Sequence, residues 1–183
     1  MKYFAVIDTE TNWHDKVMSI GTVIAREDSL RVIDARYHIL TPEYLVGGMY
    51  ADTLFDEGQL QPVLCSRKDA LEELKDWFAG YGIQSLFAYN ACFDKNHLPE
   101  LRQYDWYDIM RLAAYRQYNH CIPACADCYA TGRLKRGYGV EAMLRLLTGQ
   151  TSYYETHNAI YDAMDELQIM HLLGHPLSQY PRI

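Results

Sequence analysis

A chain of 183 residues, 49% hydrophobic and 22% charged, has room for one ordinary soluble domain with a substantial core, and 1–183 reads as a single unit. No apolar run approaches a membrane span, and the N-terminus lacks the basic-then-apolar outline of a secretory leader, so the expectation is a cytoplasmic protein with no membrane partner. A net charge of −7 excludes a global field that would draw the protein to polyanions, so nucleic-acid contact would need a local patch or bound metal.

The first stretch, Tyr3–Thr11, carries four apolar residues straight into Asp8-Thr9-Glu10. In an extended chain residues two apart share a face, so both carboxylates project from one side. Two like charges on a strand flanked by core are costly to desolvate, and a hard divalent cation would remove that cost. The alternative is a strand that simply ends at Asp8 in a solvated turn. After the polar break at residues 12–15, the run 17–25 reads as a second strand and residues 31–40 as a third. Glu27-Asp28-Ser29 supplies the turn between them, which predicts an antiparallel meander.

Residues 41–66 read as irregular, and Ala70, Leu71, Leu74, Trp77 and Phe78 set a helical pattern over 68–79. A fourth strand spans Ser85–Tyr89 and stops at Asn90. A helix is expected to follow through Leu98 and Leu101, with Pro99 tolerable only in a first turn. Another is expected over Ile109–Tyr118. Residues 119–139 form a loop with three Gly and a basic cluster, and a helix runs from Val140 to Leu147 and ends at Gly149. The last helix covers 158–173. Strands first, then helices alternating with short strands, predict an α/β fold with a mixed sheet and helices packed on it.

Two further acids stand out by position. Asp94 lies just beyond the fourth strand, where ligand sites of α/β sheets gather. Asp162 lies early in the last helix. His157 would be about 140° from it on a continuous helix. The two can share a site only if His157 precedes the helix, and Asn158 is a good N-cap for that boundary.

The combination Asp8-x-Glu10, Asn90-x-x-x-Asp94-x-x-x-Leu98 and His157-x-x-x-x-Asp162, in this order, resembles the DEDDh (DnaQ-like) family of 3′–5′ exonucleases. Val17–Gly21, Phe93 and Ala163 match as well, and the similarity runs from Tyr3 to about Leu173. The resemblance implies a ribonuclease-H-like α/β fold and a metal-dependent 3′–5′ exonuclease with two Mg²⁺ or Mn²⁺ ions. Asp8, Glu10 and Asp162 would hold one ion, Asp8 would bridge to the second, Asp94 would act directly or through water, and His157 would be the general base. Asp108 matches a family acid followed by Thr, but Ile109 follows here, and it is given no catalytic role. Two ions roughly 4 Å apart can activate a water and relieve charge on a phosphodiester, and a histidine can take the proton near neutral pH.

Thr9, Thr11, Trp13, Asn90, Arg133, Lys135, Arg136 and Tyr138 are candidates for contact with a nucleic-acid strand. The basic loop 133–139 could steer a phosphate backbone while Tyr138 stacks on a base, or be an ordinary solvated loop. Trp13 could wedge against a terminal base or pack at the rim. His120, Cys121, Cys125 and Cys128 have the short spacing of a zinc knuckle without a second Cys-x-x-Cys, so structural Zn²⁺ stands beside ordinary free cysteines. Five cysteines, an odd number, favour free thiols over a disulfide framework.

The expected activity is removal of nucleoside monophosphates from the 3′ ends of single-stranded or frayed DNA or RNA. The alternatives are a ribonuclease trimming RNA 3′ ends or short oligomers, a binding module that has lost catalysis, and a zinc-stabilised interaction protein. The sequence names no polymerase or repair partner.

Overall fold

The computed structural model describes residues 2–55 and 60–183. Phe4, Ala5, Val6 and Ile7 are all fully buried, which is why β1 (Tyr3–Thr11) runs through the centre of the sheet rather than along an edge. The other strands are β2 (Val17–Arg26), β3 (Val32–Leu40), β4 (Val63–Cys65), β5 (Ser85–Ala88) and β6 (Asp105–Asp108), in the spatial order β4-β3-β2-β1-β5-β6. The first three form the predicted antiparallel meander, whereas β5 lies parallel to β1 and β6 parallel to β5.

Helices cover both faces: α1 (Arg67–Tyr81), α2 (Cys92–His97), α3 (Met110–Ala113), α4 (Val140–Thr148) and α5 (Ala159–Leu173). The pleat sorts β1 between two cores. Ala5 and Ile7 pack with Leu71, Leu74 and Phe78 of α1, while Phe4 and Val6 pack with Ile160, Ala163 and Leu167 of α5. Counting onward in steps of two from Phe4 and Val6 reaches Asp8 and Glu10. The α5 side of the strand therefore changes from core to carboxylate without changing face. No helix among the described residues is long and apolar enough to cross a membrane.

Three expectations about local structure are corrected. Residues 41–66 are not wholly irregular: two short 3₁₀ turns, Glu43–Val46 and Ala51–Thr53, precede β4, which pairs parallel with β3. The helix expected through Leu101 stops at His97, and Pro99 opens a separate 3₁₀ turn to Leu101, since it has no N–H to continue the first helix. The helix expected over Ile109–Tyr118 is a single turn, α3. The loop beyond it folds back, so that Leu134 N–H donates to Ala114 O at 2.9 Å and Arg116 N–H to Gly132 O at 3.0 Å. Those pairings use the backbone groups a longer helix would need. Residues 105–108 form the edge strand β6, too short for its alternation to be read from the sequence.

Gly21 determines how α5 meets the sheet. It sits opposite Asp8 in the β1–β2 register, and a Cβ there would collide with the backbone of Ala159 and Ile160 at the start of α5. The bare backbone of β2 is what lets that helix N-terminus come close. Backbone cannot move aside as a flexible side chain can, so Gly21→Ala must push α5 outward. We expect it to destabilise the protein by about 1–3 kcal/mol or more in urea unfolding. Unchanged stability would mean that α5 docks without this contact.

Candidate active site

Asp8 and Glu10 leave β1 toward α5, and the residue between them points the other way. Thr9 is buried, and its hydroxyl donates to Asp94 Oδ1 at 2.7 Å, which ties the first turn of α2 to the middle of the acidic pair. Thr9 therefore positions Asp94 and has no free hydroxyl facing a strand. Asp94 is 2% exposed. The turn that delivers it is held from below: Asn90 has a left-handed backbone, with φ 62°, and its N–H donates to Asp108 Oδ1 at 3.2 Å. Asp108 also accepts from Met110 N–H at 3.0 Å, so this buried acid caps a turn.

Asn158 caps α5, accepting from Ile160 N–H at 3.3 Å in an extended conformation, so His157 lies in the approach to the helix. Asn158 also donates through Nδ2 to Thr53 O at 2.6 Å and to Tyr37 Oη at 3.2 Å. His157 adopts a left-handed backbone, φ 53°, uncommon outside glycine. Two contacts from the segment before β4 hold it there. Thr53 Oγ1 donates to the His157 carbonyl at 2.5 Å, and the Tyr50 ring stacks on the imidazole with centroids 3.9 Å apart and planes 14° from parallel. The sequence offered no signal for Tyr50 or Thr53, because both sit in a stretch with no periodicity.

Glu10, His157 and Asp162 each offer a ligand atom, all within 4.8 Å of one another. Asp8 lies beside this trio, close enough to be repelled by Asp94, Asp162 and Glu10. Burial is the first cause of stress on every acid here. It pushes Glu10 up to about 8, with help from Glu155 and Asp94, and Asp162 up to about 9, with help from Glu155 and Glu10. Asp94 rises to about 7 through burial, against the opposing hydrogen bond from Thr9. Asp8 also stands well above the carboxylate range, through burial and then its acidic neighbours. Asp8 Oδ2 and Asp162 Oδ1 are sealed from solvent without a hydrogen-bond partner. Buried acceptor oxygens left unpaired in a ring of acids fit a divalent cation, which supplies the missing charge and the missing ligand at once. His157 shifts the opposite way, below its ordinary value, because burial disfavours the imidazolium.

Sequence reasoning overlooked two more acids. Glu155 is drawn in two residues before His157, and burial raises it to about 6. Glu166, 1% exposed, lies one turn beyond Asp162 on α5. An acid four residues after a suspected ligand on a helix with a buried face was the available signal for Glu166.

The strand-contact candidates lie around this centre in different states. Trp13 is 64% exposed, with its backbone N–H donating to Gly47 O at 3.0 Å. Thr11 is half-buried under Gly48, where a Cβ would meet its carbonyl oxygen. In the basic loop the Arg133 guanidinium lies over the rings of Tyr129 at 4.9 Å and Tyr138 at 5.2 Å. Lys135 pairs with Asp127 at 2.9 Å, and Arg136 is exposed. Tyr89 Oη donates to Tyr138 O at 2.5 Å, which fastens this loop to the end of β5 beside Asn90. His120, Cys121, Cys125 and Cys128 do not assemble: among the described residues, Glu10, His157 and Asp162 are the one such trio whose ligand atoms come within 4.8 Å of one another. Cys128 Sγ instead accepts from Arg116 at 3.3 Å, and all five cysteines are unpaired.

The raised acids carry a stability signature. Their folded values lie above the unfolded ones of about 4, so the fold holds extra protons in that window. Their contribution is fully present below the unfolded values and is lost as pH rises through about 7 to 9. The melting temperature of chelator-treated protein should therefore fall between pH 6 and 9, and Mn²⁺ should flatten that slope. An equally flat profile without metal would show the acids to be already compensated.

No family model and no curated protein sequence matches the chain. Solved structures do. Exonuclease X, in complex with 5′ overhanging duplex DNA, aligns over 96% of each chain at TM-score 0.57 and 20% identity. The nuclease domain of 3′hExo, described as a DEDDh family member and bound to rAMP, aligns over 100% of this chain and 96% of its own at TM-score 0.66 and 14% identity. E. coli Exonuclease I in complex with single-stranded DNA covers 98% of this chain, which spans 42% of that larger protein, at TM-score 0.60 and 12% identity. At such low identities the shared property is architecture, and by that measure the chain has the ribonuclease-H-like fold of the DEDDh exonucleases.

Proposed function

We propose that the chain, acting as one domain, is a divalent-metal-dependent 3′–5′ exonuclease that releases nucleoside monophosphates from single-stranded or frayed 3′ ends. The observation that carries this reading is the convergence of Glu10, His157 and Asp162 within 4.8 Å beside the unpaired buried oxygens of Asp8 and Asp162. Asp8, Glu10 and Asp162 would hold one ion, Mg²⁺ or Mn²⁺, with Asp8 and Asp94 serving a second. Bound there, such ions relieve the negative charge of the phosphate and of the departing 3′ oxygen.

The protein's own groups do the rest. Water attacks the terminal phosphorus, its proton passes to His157, and the bond from phosphorus to the 3′ oxygen of the preceding nucleotide breaks. Burial keeps His157 neutral near pH 7, the form that accepts a proton. The stacked Tyr50 ring and the Thr53 hydroxyl fix the imidazole on a backbone it would not otherwise hold. The Tyr129, Arg133 and Tyr138 layer, tied to Tyr89, offers aromatic faces and charge to the strand, and exposed Trp13 offers a surface for a terminal base.

End-labelled DNA and RNA strands, linear and circular, test polarity and substrate together. EDTA should abolish cleavage and Mn²⁺ or Mg²⁺ restore it. A 5′-labelled strand should give a descending ladder, and a circle should persist. Early release of a labelled 5′ mononucleotide would overturn the assigned polarity. Cleavage of RNA alone would select the RNA-trimming alternative. Asp8→Ala, Glu10→Ala, Asp94→Ala and Asp162→Ala should each lose nearly all turnover while staying folded.

The base and its holder separate by degree. His157→Ala should keep Mn²⁺ and strand binding while kcat falls about 10²–10⁴-fold. Tyr50→Leu should lower kcat less, by about 10–100-fold, because the base remains but is misplaced. Wild-type kcat in His157→Ala would make the histidine structural, and strand binding without any cleavage in the wild type would favour a binding module.

A further inference from the structure

Glu166 is a deeply buried acid of the site that the proposed chemistry leaves unused, and unlike Asp108 it caps no turn. It shares the inward face of α5 with Asp162, one turn earlier, and is 1% exposed. Its Oε2 is shut away from solvent with no hydrogen-bond partner at all. The charged groups acting on it are acids, Asp94, Asp162 and Glu155, and on Asp8 it exerts the strongest repulsion of any neighbouring carboxylate.

Nothing in the packing calls for a carboxylate here. Ala163, Leu167 and Met170 around it on α5 are buried and apolar, and an apolar side chain would fill the same place without an orphaned oxygen. A buried, unpaired charge placed against another is costly unless a cation joins them. We propose that Glu166 is a fifth carboxylate of the metal centre, a positioning residue that backs Asp8 and adds the negative charge with which the site captures a divalent ion. This inference rests on the metal-dependent reading above.

The test is calorimetric titration of Mn²⁺ into chelator-washed wild type, Glu166→Gln and Glu166→Met, with thermal unfolding of each metal-free protein. Gln keeps the shape and the polar atoms without the charge, and Met keeps only the volume. Mn²⁺ affinity should fall about 10–100-fold in both variants. Metal-free Glu166→Gln should melt no lower than wild type, because the amide fills the same place without a carboxylate to bury. Glu166→Asp, which retains the charge, should recover part of the affinity. A glutamate that merely supports the fold would give the reverse, with a lower melting temperature and unchanged affinity of the folded protein. Wild-type affinity in both neutral variants overturns the role of Glu166 and leaves the nuclease reading intact. A wild-type protein that binds no Mn²⁺ overturns both.

Discussion

Asp8, Asp94, Asp162 and Glu166 meet at one end of the sheet, each with its charged form disfavoured first by burial. Folding alone does not reward such an arrangement, because desolvation and mutual repulsion both oppose it. The chain tolerates it by hanging the acids on elements fixed by large apolar surfaces elsewhere. β1 is held by two cores, one on each face, before it reaches Asp8. α5 is held by Ile160, Ala163, Leu167, Ile169 and Met170, which are buried around Asp162 and Glu166. Hydrophobic burial thus holds the carboxylates within electrostatic reach of one another despite that cost.

Close approach is the second requirement. Because Gly21 faces Asp8 across the β1–β2 ladder, the absence of its side chain brings the α5 N-terminus over the acidic end of the sheet. The same helix start is clamped from the far side, where Thr53 and Tyr37 engage Asn158 and Tyr50 stacks on His157. One helix terminus therefore sets Asp162, Glu166 and the imidazole together. Contacts from the segment before β4 fix the orientation of the imidazole, while the packing of α5 fixes the position of the acids.

Electrostatics also reconcile a chain of net charge −7 with the polyanionic substrate proposed for it. Cations at the acidic centre would reverse the local sign, and the Arg133, Lys135 and Arg136 loop adds positive charge beside it. Its cation–π contacts with Tyr129 and Tyr138 give that loop a defined surface instead of a free tail.

Much was legible in the residues themselves. Alternation along Tyr3–Thr11 fixed which side Asp8 and Glu10 share, because strand geometry has a period of two whatever the tertiary context. Asn158 announced the start of α5, and the 3.6-residue period then put Asp162 on a definite face. Other features depended on contacts distant in sequence. The single turn of α3 is limited by hydrogen bonds from residues 132–134, the edge strand β6 is stabilised by pairing with β5, and Thr9 turned out to serve Asp94. Tyr50 meets His157 across more than a hundred residues, and no local periodicity encodes a stacking partner. The cysteines show the converse: spacing alone suggested a zinc knuckle, but the backbone pairing of Tyr115 with Arg133 and Cys128 with Leu134 shapes the loop without gathering those thiols. The sequence by itself determined the strand-borne acid pair, the helix-borne acid and their order, since local geometry is short-ranged. Only the tertiary structure decided which side chains converge, because convergence depends on the packing of elements that the chain visits far apart.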